Sequence, residues 1–315
     1  MTMMICLLAL LPLLVSGGQM SATGEAGDLR WNDIVWVSLP IGDRTVAKAV
    51  LALNVEIVGL NRKALMQLDL GSDSTVIKGV PYRALGGLNT PEGGYIEVTG
   101  IIADYPFKKQ AFFLATNSGD PPKEGETPEL GTIGANFFQQ RLLVLDFVRN
   151  KVAIASSINN IPRELEEKIS FGPLQYRRGK IFIDVHINGH EEKGIFYDTG
   201  ASSFSIVTMR ERWEQLTGRM PTDDRNDVWS LSSWGKKASL IGAPLRGSMC
   251  ISNACLEAPM VYFESSGLKN FQFDKYPFPA TGLVGNAPFV DRYSIVIDLP
   301  NRRFGLYRGS LAGAK

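Results

Sequence analysis

The stretch FYDTGASSF, residues 196–204, sets one carboxylate, Asp198, between a hydrophobic run and a glycine, among small hydroxyl side chains. A lone Asp-Thr-Gly is an ordinary turn. Chemistry requires a partner, and QLDLGSDSTVI, residues 67–77, places Asp69 in the same frame of acid, any residue, glycine and small residues. Two carboxyl groups brought within hydrogen-bond distance cannot both ionise, so one keeps a proton while the other acts as a base. Such a pair can deprotonate a water and protonate an amide at once, which is what addition of water to a resistant carbonyl demands.

Other chemistries lack their parts. His186 and His190 are four apart, but HINGH reads as strand and turn rather than helix, so they do not share a face, and no metal site is expected. No serine-hydrolase elbow is present, and the cysteines offer no thiol nucleophile. Asp146 and Asp298 recur symmetrically, yet each precedes a polar turn of the RN or NRR kind and is expected to cap it. No cofactor is called for.

The elements that must position Asp69 and Asp198 are duplicated. VEIVGLNRKALMQLDLGSDSTVI, residues 55–77, matches VHINGHEEKGIFYDTGASSFSI, residues 185–206: strand, glycine turn at Gly59 or Gly189, second strand, acid-x-Gly, small residues and a β-branched strand. A second pair follows, residues 131–154 and 282–307, each with a hydrophobic-Gly step at Gly134 or Gly285. Each then has a short helical piece with Phe138 or Phe289, and a strand-turn-strand around Asp146 or Asp298. The same elements in the same order twice predict two homologous β-rich lobes, residues 29–156 and 172–309, joined by a charged linker over 157–171 that forms a short amphipathic helix or an exposed connection. Residues 116–130 and 217–227 read as surface loops, and one helix is predicted around 208–218, ending at Gly218.

Composition permits this and narrows the partners. With 315 residues, 44% hydrophobic and 21% charged, the chain can bury a large core, and a net charge of +1 without a basic run excludes a phosphate backbone as its natural ligand. An apolar run from Ile5 to Val15 is half the length of a membrane span and reads as a signal peptide, residues 1–18, cleaved after Gly18. The alternative is an uncleaved anchor, since MTMM lacks the usual basic residue. The mature protein is then secreted or periplasmic, without a stable membrane span, and a monomer is expected. In an exported chain Cys250 and Cys255 are expected to form a disulfide across a Ser-Asn turn. So small a ring contributes about 2 kcal/mol by chain entropy, a local clip only.

Two acid-x-Gly motifs in tandem lobes, each followed by a hydrophobic-hydrophobic-Gly step (Thr132-Ile133-Gly134 and Leu283-Val284-Gly285), resemble the pepsin and retropepsin type of aspartic peptidase over nearly the whole mature chain. The resemblance implies a mostly β fold of two homologous pepsin-like β-barrel lobes with a cleft between them. It implies an endopeptidase in which Asp69 and Asp198 activate a water, with a polypeptide held extended in the cleft. Gly71, Ser72, Thr199 and Gly200 would support the acids, and Gly134 and Gly285 would lie against their loops. A flap should cover the cleft, either around residues 91–100, where Tyr95 could reach over the substrate, or around 232–244; an ordinary surface hairpin is the alternative for both. Trp31, Trp36, Trp229 and Trp234 are packing residues or cleft walls. The short distance from Gly18 to the first lobe leaves little room for an inhibitory pro-segment.

Two local differences carry expectations. Ser72 offers a hydroxyl near Asp69 where the matching Ala201 offers none, so Asp69 is expected to be the more readily ionised acid and Asp198 the protonated one. The family has Thr or Ser after the first acid, tying the two loops together, and here that position is Leu70, whereas Thr199 keeps its half of the link. Leu70 is also a feature shared with non-catalytic members of the pepsin-like fold, which bind proteins or sugars.

Overall fold

A computed structural model describes residues 29–88, 93–233, 236–252, 254–268 and 271–313. The signal segment, Trp234 and parts of both flap segments (residues 91–92 and 234–235) lie outside the described residues.

Alternation of buried and outward residues makes strands throughout, as in Ala64–Leu68, where Ala64, Met66 and Leu68 point inward. The chain is mostly β. In the first half, Arg44–Ile57 pairs with Ala64–Leu68, and the sheet continues through Glu129–Ile133, Val76–Lys78 and Tyr105–Ala115 to Gly94–Ile102. That last strand pairs back onto the first, Val55 opposite Ile102, and closes a barrel around Leu53, Met66, Phe112 and Phe137.

The second half repeats the arrangement. Ile195–Tyr197 runs parallel to Gly282–Val284, which runs antiparallel to Ile206–Thr208, just as Ala64–Leu68 runs parallel to Glu129–Ile133, which runs antiparallel to Val76–Lys78. Ile206–Thr208 and Val76–Lys78 each pair in parallel with a further strand, Met260–Glu264 and Tyr105–Ala115. The second half divides its strands between two sheets, because the counterpart of Arg44–Ile57 is interrupted at Asp184 into Lys180–Ile183 and Val185–Ile187.

One sheet belongs to both halves. Leu142–Asp146 pairs with Tyr293–Asp298, Val144 opposite Val296, flanked by Lys151–Ala155 on one side and Arg303–Arg308 on the other. Asp146 accepts the backbone N–H groups of Val148 and Arg149, each at 3.0 Å, and Asp298 that of Asn301 at 3.2 Å. Both are turn caps, as their sequence context predicts. Asp146 also accepts Ser310 Oγ and the Ala312 N–H, fastening the C-terminal segment.

The predicted helix is Arg210–Thr217, ended by Gly218 in the left-handed region at φ 61°, with Trp213 buried against Phe263. Between the halves a 3₁₀ turn, Ile158–Asn160, and a one-turn helix, Arg163–Glu166, bury Ile158 and Leu165. Cys250 and Cys255 face each other on neighbouring strands and are disulfide-bonded. His186 and His190 lie on the two strands of one hairpin, paired with Glu191 and Ile187. No helix among the described residues is long and apolar enough to cross a membrane.

Candidate active site

Each acid sits at the end of a short buried strand, where the chain leaves the sheet and must return as the next strand. Asp69 N–H donates to the Ile133 carbonyl at 3.1 Å and Asp198 N–H to the Val284 carbonyl at 2.9 Å, so each loop starts from the strand that ends in the hydrophobic-Gly step. Gly134 and Gly285 lie against the loops for a steric reason. A β-carbon at Gly134 would come within 2.5 Å of the Ser74 carbonyl carbon, and one at Gly285 within 2.5 Å of the Phe204 carbonyl oxygen.

The loops meet face to face. Each carboxyl lies against the other loop's glycine, which brings Asp69 and Asp198 near enough to couple through charge and hydrogen bonding. Glycine is what permits the approach: a β-carbon at Gly200 would stand 2.7 Å from the Asp69 carboxyl carbon, with the same crowding between Gly71 and Asp198. Asp69 is 8% exposed. Thr199 is fully buried and crosses the interface, accepting the Leu70 N–H at 2.9 Å and donating to the Leu68 carbonyl at 2.8 Å. Leu70 contributes no such bond and is instead fully buried in the hydrophobic core.

Protonation follows from burial and the mutual bond. Burial raises Asp69 most, the neighbouring Asp198 carboxyl and the hydrogen bond to it raise it further, and it reaches about 8. Asp198 is also raised by burial, but Lys180, the Gly200 and Ala201 N–H groups and the hydrogen bond from Asp69 favour its charged form. Both acids are thus raised together, and the two carboxyls titrate as one pair that keeps a single proton. The reason for expecting Asp69 to be the ionised acid falls away, because the Ser72 hydroxyl donates to the Ser74 carbonyl at 2.8 Å and does not serve the carboxylate. Asp69 receives the Ser72 backbone N–H instead, at 3.1 Å, and Asp198 the Gly200 N–H at 2.8 Å, so the loops solvate their acids alike.

Several residues at the site have no counterpart in the sequence-based expectations. Lys180 Nζ donates to the Gly71 carbonyl and lies 5.7 Å from the Phe196 ring centroid. Tyr276 packs on Phe196 and Phe278 and is raised to about 12, first by burial and then by the Asp198 charge. Asn286 is fully buried behind the second loop, donating to the Thr199 carbonyl at 3.1 Å and to Ser202 Oγ at 2.9 Å while accepting the Tyr197 hydroxyl at 2.7 Å. Thr75 does similar work in the first loop, accepting the Gly134 N–H at 3.2 Å and donating to Asn136 at 2.8 Å.

The flap segments are placed less simply. Tyr95, the second residue of the strand Gly94–Ile102, stands opposite Phe113, packs edge-on against its ring and is 66% exposed. The reversal of that hairpin falls at Ala103 and Asp104, beyond residues 91–100. In the second segment Asp227–Ser233 and Lys236–Pro244 form a hairpin. Trp229 is half-buried and packs on the core, its ring on Phe204 and its Nε1 donating to Asp227 at 2.5 Å. Trp31 and Trp36 pack against the core, Trp36 donating to Asn150 at 2.7 Å.

No family model matches the chain, and no curated protein matches it. Among solved structures it is similar to the aspartic proteinase from Irpex lacteus, at 13% identity and a TM-score of 0.49 over 84% of this chain and 96% of that one. It is also similar to Basic 7S globulin from soybean, at 12% identity and a TM-score of 0.46 over 90% and 98%. The mostly β, duplicated architecture stands on the strand registers themselves: two loops of the same construction, set face to face.

Proposed function

We propose that the chain is an aspartic endopeptidase in which Asp69 and Asp198 share one proton and activate a water between them. The observation that supports this most is the packing of each carboxyl against the other loop's glycine, which sets the two acids face to face. In the reaction, Asp198 takes a proton from the water as its oxygen bonds to the peptide carbonyl carbon, and Asp69 gives its proton to the carbonyl oxygen. Collapse of the resulting tetrahedral diol passes a proton to the amide nitrogen and breaks the C–N bond. No electron leaves or enters the site, and the dyad regains its single proton. The substrate is an extended polypeptide whose backbone pairs with strand edges.

A second reading is a pepsin-like protein that binds a peptide, protein or sugar ligand without cleaving it. Leu70 and the low exposure of Asp69 favour it. The purified mature chain, incubated with denatured protein from about pH 3 to about pH 9, separates the two. Cleavage lost by at least ~10²-fold in both Asp69→Asn and Asp198→Asn supports the peptidase. A hydroxyl-containing transition-state-mimicking peptide that binds without any cleavage of substrate supports the second reading.

A further inference from the structure

The duplication extends to two hairpin tips that the catalytic motifs do not include. In the first half the turn Gly42-Asp43 is followed by Arg44, paired with Ile41; in the second, the turn Arg178-Gly179 is followed by Lys180, paired with Arg177. Each cation is the first residue of its strand, and each reaches the opposite half. Arg44 goes to Asp227 at 2.7 Å, with its guanidinium 4.8 Å from the Trp229 ring centroid. Lys180 goes to the loop that carries Asp69.

The second tip is pressed tightly into place. Arg178 and Gly179 both have positive φ, 46° and 78°, as a two-residue hairpin turn requires. A β-carbon at Gly179 would come within 2.5 Å of Asp73 Cα, so the turn lies directly on the Gly71–Asp73 segment. From there the Lys180 side chain runs over Phe196, two residues before Asp198, and its ammonium is bonded to the carbonyl of Gly71, the residue against which the Asp198 carboxyl packs. The ammonium is thus held at the glycine on which the Asp198 carboxyl packs, beside the two acids.

We propose that Lys180 is a positioning residue of this site: a counter-ion that the second half supplies to the loop of the first, fixing Gly71 and setting the pH range over which the two aspartates share a single proton. This rests on the reading of Asp69 and Asp198 as the reacting pair. Charge accounting supports it. The groups facing the pair are Tyr197 from its own strand, with its hydroxyl committed to Asn286, Tyr276 from the segment packed on Phe196, and Lys180. Asp73 lies under Gly179 and acts on Tyr176, and its side of the turn is exposed. Lys180 is the cation whose charge lowers both Asp69 and Asp198 against the burial that raises them. Removing it leaves only the loop N–H groups to oppose burial and mutual repulsion, so both proton losses of the pair move to higher pH.

The test uses the full mature chain with Lys180→Met, which keeps the stem over Phe196 and loses the charge, and Lys180→Arg, which restores a cation. The pH profile of kcat/KM on a peptide substrate should move toward alkaline pH on both limbs by about one pH unit in Lys180→Met and return in Lys180→Arg. In parallel, the carboxyl carbons of Asp69 and Asp198 are titrated by NMR in protein labelled with ¹³C-aspartate, a readout that does not depend on turnover. Should the wild type cleave nothing, the NMR titration alone decides the role of Lys180, while the peptidase reading fails separately. Carboxyl titrations unchanged in a folded Lys180→Met chain overturn the proposal, and so does an alkaline shift that Lys180→Arg fails to reverse. If Lys180→Met does not fold, Lys180→Gln is read against the same two outcomes.

Discussion

A β-carbon on Gly71 would stand 2.5 Å from the carboxyl carbon of Asp198, well inside van der Waals contact. The first loop's glycine is therefore the floor on which the second loop's acid rests, and the reverse holds for Gly200 and Asp69. Gly71→Ala must push the Asp198 carboxyl away from its partner. A displacement approaching 1 Å costs about 10²-fold in rate. Cleavage by Gly71→Ala should fall by that order while far-UV circular dichroism stays unchanged; activity within a few-fold of the wild type would show that the carboxyl pair tolerates the displacement.

The raised carboxyls make stability depend on pH in a stated direction. Folded Asp69 keeps its proton up to about 8, whereas an unfolded aspartate loses it near the ordinary carboxylate range, about 4. The folded chain thus binds more protons than the unfolded chain across that interval. The stabilisation is complete below about pH 4 and is lost as pH rises through about 8, at up to about 1.4 kcal/mol per pH unit for one proton. Urea midpoints measured across this interval should fall for the wild type and change less for Asp69→Asn. Parallel curves for the two would mean that Asp69 does not hold the proton.

Thr199 ties the loops through two backbone groups, the Leu70 N–H and the Leu68 carbonyl. Thr199→Ala leaves both buried without their partner, at about 1–3 kcal/mol for each group left unpaired. Because Leu70 supplies no reciprocal bond, the loss is not shared with a second link. Thr199→Ser should retain most of the stability, and denaturant unfolding of the two variants checks the difference.

Much of this site was legible because its parts are local. Acid-x-Gly occurs twice within matching strand-turn-strand frames, so Asp69, Asp198, Gly71 and Gly200 could be named from spacing, while Gly134, Gly285 and Thr199 came from the resemblance to aspartic peptidases. Which acid is the more readily ionised was not legible, because the expectation hinged on the Ser72 hydroxyl, whose direction is fixed by the Ser74 carbonyl in the folded loop. Lys180 escaped for another reason. It lies 18 residues before Asp198 and acts on a loop 109 positions away, so neither acid's own motif points to it. The one available signal was a basic residue following a glycine turn in both copies, Gly42-Asp43-Arg44 and Gly179-Lys180, which becomes meaningful once the hairpin tips are seen to cross. Tyr95 was named from its place in a glycine-rich stretch, and its exposed ring packs edge-on against its cross-strand neighbour Phe113.

The crossed tips also bear on how an ancestral twofold could be broken. In a symmetric pair of identical chains, any change to the residue at one tip is forced on the other, so a cation suited to an acid pair must also suit whatever the opposite tip meets. Once both copies share a single polypeptide that constraint disappears. Arg44 has settled into a clasp with an indole and a peripheral carboxylate, Lys180 lies beside the dyad, and each can change without disturbing its twin.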